Sequence, residues 1–242
     1  MDRMIYLSMS GAKATMQRQE TLANNLANAS TTGFRAELQA FRAVPVRGDG
    51  ASTRVYSLET TTGYDPTPGP MASTGRALDV AMQGNAWLAV QGLDGTEAYT
   101  RMGSLQVDAE GTLKTSGGLT VLGDGGPIAL PANSTPQIAA DGTVSVKQAN
   151  GGVTSVGRLK LVTPEAALQR GDDGLFRAAD GDLPVDPNAR VAEGTLEGSN
   201  VNPIENMVAM IAAARQFESQ MKMLQTAEGD EKAASQLLSM NG

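Results

Sequence analysis

The sequence contains no cysteine and no histidine, and only 4% of its 242 residues are aromatic. Lacking these two residues, it lacks the commonest general base, the commonest transition-metal ligand and all thiol chemistry. Disulfides are also excluded, which suits either a reducing compartment or an export route where thiols would be a hazard. With few aromatics and 28 glycines, the composition favours a turn-rich structural β protein over a ligand-pocket protein.

Positive charge and long apolar runs are also scarce. The formal net charge is -7, and because no basic run offsets it, nucleic acid is excluded as an expected partner. No uninterrupted apolar stretch approaches the roughly 20 residues that cross a bilayer, and the N-terminal sequence lacks the continuous apolar region of a secretory signal. We therefore expect that any route out of the cytoplasm does not read such a signal.

Apolar residues near both ends of the chain recur at the spacing of a helix that packs against another helix. The first series ends before Gly33, a residue suited to the left-handed conformation that follows a helix. The second series follows Asn202, predicted as the N-cap, with Pro203 as first helical residue and Glu205 as capping-box partner. We expect this helix to bend or fray after Glu228. The two series are Ile5, Met9, Ala12, Met16, Gln19, Ala23 and Leu26, and then Met207, Met210, Ala214, Phe217, Met221 and Leu224.

Between the helices the hydrophobic pattern changes to a period of two. Short β-rich runs, beginning with Leu78 to Met82 and Trp87 to Val90, are separated by Asp-Gly, Glu-Gly, Gly-Gly and Asn-Gly pairs, the signal of β-hairpins. Trp87, the only tryptophan, is predicted to anchor the core. The predicted fold class is therefore α+β: N- and C-terminal α-helices that pair as a coiled-coil-like helical domain, with an inserted antiparallel β domain.

The predicted domain boundaries follow from these changes of period. They are residues 1–34 for the N-terminal helix, 35–74 for an extended, proline-containing connector with possible short strands, 75–197 for the antiparallel β domain and 198–242 for the C-terminal helix. An isolated amphipathic helix gains little in water unless its apolar face is buried. Pairing the two helices buries one face of each, so the remaining apolar surface predicts contacts with other subunits.

Catalytic and metal-binding motifs are weak. Ser-x-x-Lys matches at residues 10–13 and 219–222 lie inside the predicted helices and lack companion motifs, so we interpret them as chance pairs. The Gly-Asp-Gly-Gly run at 123–126 and the pair Asp172-Asp173 are interpreted as turns, since neither fits a phosphate-loop or EF-hand spacing. We predict no catalytic, cofactor-binding or metal-binding residues, no cofactor, and no small-molecule substrate.

Three segments resemble the axial proteins of the bacterial flagellum, the rod and hook protein family. TLANNLANASTTGFRAE resembles the family's N-terminal signature, the stretch beginning ALDVAMQGNAWLAVQ its β domain, and EGSNVNPIENMVAMIAAARQFESQMKMLQTAE its C-terminal helix. The resemblance covers nearly the whole chain. Within the family, Ala86-Trp87-Leu88 favours the proximal-rod type, because distal-rod members usually read Gly-Phe-Phe there.

The resemblance implies a structural subunit of the proximal rod, part of a hollow helical drive shaft that transmits torque across the periplasm. It implies export from the cytoplasm through the flagellar type III export apparatus without a cleaved signal peptide. The implied partners are copies of the same chain and other proximal- and distal-rod proteins, and no enzyme activity is implied. Alternative hypotheses are a distal-rod or hook-family paralogue, a phage-tail or adhesive-fibre subunit, and a hydrolase using a Ser-Lys or carboxylate pair.

The resemblance also implies that the Asn-rich turns lie in the wall of a tube. There Asn24, Asn25 and Asn28 would bridge to amide or backbone groups of neighbouring subunits, the competing interpretation being that they cap their own helix. The predicted assembly interface comprises Ile5, Met9, Ala12, Met16, Leu22, Ala23, Asn24, Asn25, Leu26, Asn28, Met207, Met210, Ile211, Ala214, Phe217, Met221 and Leu224.

Overall fold

The structure is a computed structural model that describes residues 2–45, 55–132, 134–148 and 152–240. The chain forms two compact units. The helical unit comprises Met1–Ala29, Ala36–Asp65 and Val201–Gly242, and the β unit comprises Ser30–Arg35 and Pro66–Asn200. Residues 66–74, predicted as part of the connector, therefore belong to the β unit.

The helical unit consists of α1 (Asp2–Ala27), β1 (Glu37–Pro45), β2 (Val55–Tyr64) and α2 (Pro203–Met240). The two strands pair antiparallel along their whole length, with one irregularity after Ala40. α1 packs against α2 and against both strands. The strands that were predicted as possible within the connector are therefore present. They pair with each other as a two-stranded sheet, and this sheet packs against α1.

The start of α2 follows the predicted capping pattern. The side-chain Oδ1 of Asn202 accepts hydrogen bonds from the backbone N–H groups of Ile204, at 3.1 Å, and Glu205, at 3.3 Å. These two donors have no partner within the helix, so the side chain of Asn202 satisfies them. Asn202 as N-cap and Pro203 as first helical residue are both confirmed.

The far end of each helix differs from the prediction. α2 remains helical through Gly229 to Met240, so the fraying predicted after Glu228 is not found. α1 ends at Ala27, several residues before the predicted stop. Gly33 nevertheless has the predicted left-handed conformation, with φ at +70°.

The β unit contains short strands joined by tight turns. They are β3 (Met71–Ser73), β4 (Val80–Met82), β5 (Trp87–Gln91), β6 (Glu97–Thr100), β7 (Leu105–Val107), β8 (Leu113–Thr115), β9 (Thr120–Gly123), β10 (Gly126–Pro127), β11 (Thr135–Ile138), β12 (Thr143–Lys147), β13 (Val153–Arg158), β14 (Leu161–Val162), β15 (Gln169–Arg170), β16 (Phe176–Arg177), β17 (Val191–Glu193) and β18 (Thr195–Glu197).

The strands form several antiparallel sheets. The largest has the order β15-β16-β6-β5-β9-β8-β7, with β10 paired to β9 and β14 to β5. A second sheet has the order β11-β12-β13, while β17 pairs with β4 and β18 with β3. The predicted inserted antiparallel β domain is confirmed. The Asn-Gly turn predicted at residues 150–151 lies outside the described residues.

The core of the β unit is built from aliphatic residues of most of its strands. Its members include Val80, Met82, Leu88, Val90, Leu105, Leu113, Val121, Ile138, Val144, Val146, Leu159, Leu161 and Val191. Trp87 is 2% exposed, and its ring lies 4.7 Å from that of Phe176, so its predicted place in the core is confirmed. β4 is buried on both faces, so the alternation predicted for that strand is wrong, because the unit packs against both of its sides.

Candidate functional site

The face of α1 that is buried in the helical unit is lined by small side chains. Ser8 and Thr15 are 3% and 4% exposed, and Ala12 lies between them. Gly11 approaches α2 so closely that an added Cβ would lie 3.0 Å from the side chain of Gln220. Small residues let two helices approach closely, so this face suits a tight contact within the chain.

The buried face of α2 combines small and large residues. Ala213 and Ala227 are buried, and the half-buried Phe217, Gln220 and Leu224 lie between them at the same three- and four-residue spacing. This spacing places all five side chains along one face of the helix. The inner face of each helix is therefore richer in small residues than the sequence predicted.

Large apolar side chains lie on the outside of both helices. Each side chain in this outer apolar set is 37–75% exposed: Tyr6, Met9 and Met16 on α1, and Ile204, Met207, Val208, Ile211, Met221 and Met223 on α2. In the first two turns of α2 the set forms one continuous line. The same line continues with exposed charged residues, Arg215, Glu218 and Lys222.

The structure divides the predicted interface residues into two groups. The buried or half-buried group comprises Ile5, Ala12, Leu22, Leu26, Met210, Ala214, Phe217 and Leu224. The exposed group comprises Met9, Met16, Ala23, Met207, Ile211 and Met221. The residues predicted as one contact face on each helix therefore lie on more than one face, and their part in assembly stays a prediction. A spacing of three and four residues identifies a stripe, but a helix rich in Ala and Met has such a spacing on more than one face.

Several buried and exposed residues of the two helices were not among the residues predicted for the interface. Ser8 and Thr15 were not predicted to face inward because they are polar. The sequence nevertheless places Ser8 four residues before Ala12, and Thr15 four residues after Gly11. The outer residues Tyr6, Ile204 and Val208 were missed because they fall outside the chosen stripe. In each case helical spacing was the available signal.

The three asparagines at the end of α1 are hydrogen-bonded within the chain. Asn25 is 5% exposed; its Nδ2 donates to the backbone oxygen of Glu37 at 3.0 Å, and the backbone N–H of Glu37 donates to its Oδ1 at 2.8 Å. Asn28 Nδ2 donates to the backbone oxygen and Oδ1 of Asn24. Both ends of the Asn25 amide thus hold the start of β1, and bridging to neighbouring subunits stays a prediction.

The segment that follows α1 docks into the β unit. Gly33 donates its backbone N–H to the carbonyl of Glu197 at 2.8 Å, and a Cβ added to Gly33 would lie 2.3 Å from the backbone of Arg101. Phe34 is buried, with the guanidinium carbon of Arg170 4.6 Å from its ring centroid. Both the left-handed φ and the close approach therefore require glycine at position 33.

A buried ion cluster lies beside this segment. The carboxylate of Glu197 is shared by two guanidinium groups, with Arg35 2.6 Å from Oε1 and Arg101 2.6 Å from Oε2. All three side chains are at most 3% exposed. Burial lowers the pKa of Arg101 and the charge of Glu197 opposes that shift, so the carboxylate offsets part of the cost of burying the guanidinium. Sequence reasoning gave none of these three residues a role.

The motifs considered for chemistry have ordinary structural roles. Ser10 Oγ donates to the backbone oxygen of Leu7 in its own helix. Asp173 is held by both terminal nitrogens of Arg177, at 3.1 and 2.8 Å. The predicted turn at 123–126 is confirmed, since it joins β9 to β10. Within the described ranges no group of three acidic residues is placed to hold a metal ion, and no described helix is long and apolar enough to cross a membrane.

Three family models match the sequence in order along the chain. Residues 5–35 match the family described as flagella basal body rod protein. Residues 81–146 match the D1 domain of the flagellar hook protein FlgE/F/G, and residues 192–237 match the C-terminal part of the flagellar basal body rod FlgEFG protein.

Curated relatives match over the whole chain. The flagellar basal-body rod protein FlgF of Escherichia coli K12 is 50% identical, and that of Salmonella typhimurium 49%, with 100% of each chain covered in both comparisons. The rod protein FlgG of Bacillus subtilis is 30% identical, with 93% of this chain and 95% of the relative covered. The match to FlgF is thus considerably closer than the match to this FlgG.

Proposed function

The chain belongs to the FlgF family of flagellar basal-body rod proteins, and from this we propose that it builds the proximal part of the rod through the outer apolar set of its helices. It is a structural subunit of the rod and not an enzyme. Its partners are other rod and hook proteins. In the proposal these partners are copies of itself and its proximal- and distal-rod neighbours.

The observation that carries the proposal is the apolar surface that the terminal helices leave outside. Ile204, Val208 and Ile211 are 75%, 63% and 56% exposed along one line of α2. A contiguous exposed apolar surface on a folded chain marks an interaction site. In a helical shaft the neighbouring subunits cover this surface, and Met9 and Met16 on α1 adapt to neighbours that are not identical.

The remaining features of the proposal follow from the family. The subunit leaves the cytoplasm through the flagellar type III export apparatus without a cleaved signal and lies in the periplasmic part of the basal body. There it forms part of a hollow shaft that transmits torque to the hook. The N- and C-terminal helices pair with each other in coiled-coil-like fashion.

The alternative functions are less well supported. A distal-rod or hook-family paralogue is disfavoured because identity to the FlgF relatives reaches 50%, against 30% for the FlgG of Bacillus subtilis. A hydrolase or a phage-tail subunit has no counterpart among the relatives named above. The Ser-x-x-Lys match at residues 10–13 also offers no free nucleophile, because the hydroxyl of Ser10 is bonded to its own helix.

The substitution Ile211→Asp tests the proposal. In the free chain the new carboxylate is exposed to water, so we expect export and folding to continue. In the shaft the same carboxylate is covered by neighbours, and an unpaired buried charge costs several kcal/mol in every subunit. We therefore expect the variant to be absent from purified basal bodies and the cells to be non-motile.

The matched control is Lys147→Asp, which introduces the same side chain at an exposed position of β12. These cells should swim normally, with the variant present in the basal body. If cells carrying Ile211→Asp also swim normally and incorporate the protein, the outer apolar set is not an assembly surface and the proposal fails.

A further inference from the structure

All four covalent connections between the helical unit and the β unit start from closely linked segments of the β unit. The chain passes between the units after residues 29, 35, 65 and 200. Within the β unit, Arg35 Nη1 and Asn200 Nδ2 both donate to the backbone oxygen of Thr67, at 2.8 and 2.9 Å. The backbone N–H of Asn200 also donates to the carbonyl of Phe34.

The carboxylate of Glu197 joins these segments to the sheet. Its Oε1 accepts from the backbone N–H of Gly69 at 3.0 Å and pairs with Arg35. Its Oε2 pairs with Arg101, which also donates to the carbonyls of Met82 and two nearby residues. One side chain therefore links the segment leaving α1, the segment leaving β2 and the strand that precedes α2.

We propose that Gly33, Phe34, Arg35, Arg101 and Glu197, here named the latch, transmit mechanical load between the terminal helices and the β unit in the rod. The inference rests on the proposed function, because only a subunit in a rotating shaft carries such load. Load on α1 reaches Glu197 through Arg35, and load on α2 reaches it through the chain that continues from residue 197. Both paths end on the same buried carboxylate and, through Arg101, on the sheet.

The chemistry of the latch suits this role. A paired guanidinium and carboxylate is directional and holds its geometry, whereas an apolar contact permits sliding. Exclusion of water strengthens each of these hydrogen bonds. The absence of a Cβ at Gly33 allows the segment to sit against the backbone of Arg101, and the buried ring of Phe34 prevents it from being drawn out along its own axis.

Limited trypsin digestion of the purified full-length chain tests the latch. The bond after Arg35 is protected because this side chain is 3% exposed. Gly33→Ala prevents the segment from docking but leaves the pair of Arg101 and Glu197 in place. We expect the fragment that begins at Ala36 to form at least about tenfold faster, since proteolysis follows the population of the open form.

The matched control is Gly75→Ala, because Gly75 has the same φ of +70° but nothing within 4 Å of its added Cβ. Equal cleavage after Arg35 in the two variants would overturn the latch. If the β unit of Gly33→Ala no longer unfolds cooperatively, the variant Arg35→Lys is used in its place. Lysine keeps the positive charge at position 35 but loses the forked donors of arginine. Cleavage at position 35 that stays at the wild-type rate in that variant would likewise overturn the inference.

Swimming of cells at low and high viscosity then tests whether the latch transmits mechanical load. We expect Gly33→Ala protein to be present in basal bodies, with cells that swim in dilute medium and stop in viscous medium, where Gly75→Ala cells continue. Wild-type swimming of Gly33→Ala cells in viscous medium would overturn load transmission, and so would the absence of this variant from the rod. Absence of the wild-type protein from purified basal bodies would instead refute the proposed function, whatever the digestion shows.

Discussion

The β unit and the helical unit use their apolar side chains in opposite ways. In the β unit Leu88, Ile138 and Leu161 are at most 1% exposed, and the strands close a core of their own. In the helical unit the fully buried side chains are mostly small, such as Ala12 and Ala213, while Ile204 and Ile211 remain more than half exposed. The first unit buries its large apolar side chains within one chain, whereas the second leaves part of its apolar surface exposed.

The difference shows where each unit obtains its stability. Burying apolar area contributes roughly 25 cal/mol per Å² whether the covering atoms belong to the same chain or to another. A unit that buries its large side chains is stable as a monomer, but one that buries alanine, serine and threonine gains little until it assembles. Under the proposed function, the helical unit therefore gains most of its stability on assembly.

The largest expected effect on the β unit comes from removing the buried negative charge of Glu197. Glu197→Gln leaves Arg35 and Arg101 buried without a counter-charge, and removing one partner of a buried pair costs about 3–5 kcal/mol. We expect the urea midpoint for the β signal of the full chain to fall accordingly. Glu193→Gln, an exposed position on β17, should leave it unchanged. A shift as small as that of this control would show that the buried charges are compensated by other groups.

A pair of truncations compares the two units directly. Leu88→Ala removes a fully buried side chain and should destabilise the β unit by about 2–5 kcal/mol. Ile211→Ala removes a side chain of the same size that is 56% exposed, so the free chain should change by less than about 0.5 kcal/mol. Chemical denaturation of the purified proteins measures both values. Equal losses would mean that Ile211 is already covered in the free chain.

The smallest expected effect concerns acid stability. Hydrogen bonds from Arg177 hold the pKa of Asp173 below its ordinary value. Because the folded-state pKa is depressed, the stabilisation is present above the unfolded-state pKa of about 3.9 and is lost as the pH falls through the folded-state pKa. Asp173→Asn should therefore be less stable than wild type at neutral pH and converge with it in acid.

Asp172→Asn is the control for this comparison, because its exposed carboxylate is the sequence neighbour of Asp173. Thermal melts of both variants from pH 7 to pH 3 measure the difference. A gap between Asp173→Asn and wild type that stays constant over this range would show that the ion pair with Arg177 contributes nothing to the pH dependence.

Local features of the fold were predictable from the sequence. Asn202 caps α2, Gly33 is left-handed, and the turn glycines at 95 and 142 have φ of +81° and +84° between paired strands. Each depends on contacts or steric limits within about four residues, so the sequence window contains the cause. The family resemblance, which depends on motifs of this kind, is confirmed by the comparisons.

Other features required the tertiary structure. The sequence placed Ile5 and Met9 on one stripe, but Ile5 is half-buried and Met9 is exposed. The close approach of Gly11 to α2 determines which face of α1 points inward. Asn25 was expected to meet another subunit, yet it holds the start of β1. The outcome in both cases depends on the partner segment, which local spacing does not identify.

The elements and the family could be predicted from the sequence: two terminal helices, hairpins between them, and the signatures of a flagellar axial protein. Which apolar residues are buried within the chain and which stay exposed depends on tertiary packing. The same holds for the latch, where Glu197 meets Gly69 and Arg101 across 128 and 96 residues of chain. Helical and strand periods act over one or two turns, whereas burial depends on what packs against each face, and those partners come from distant parts of the chain.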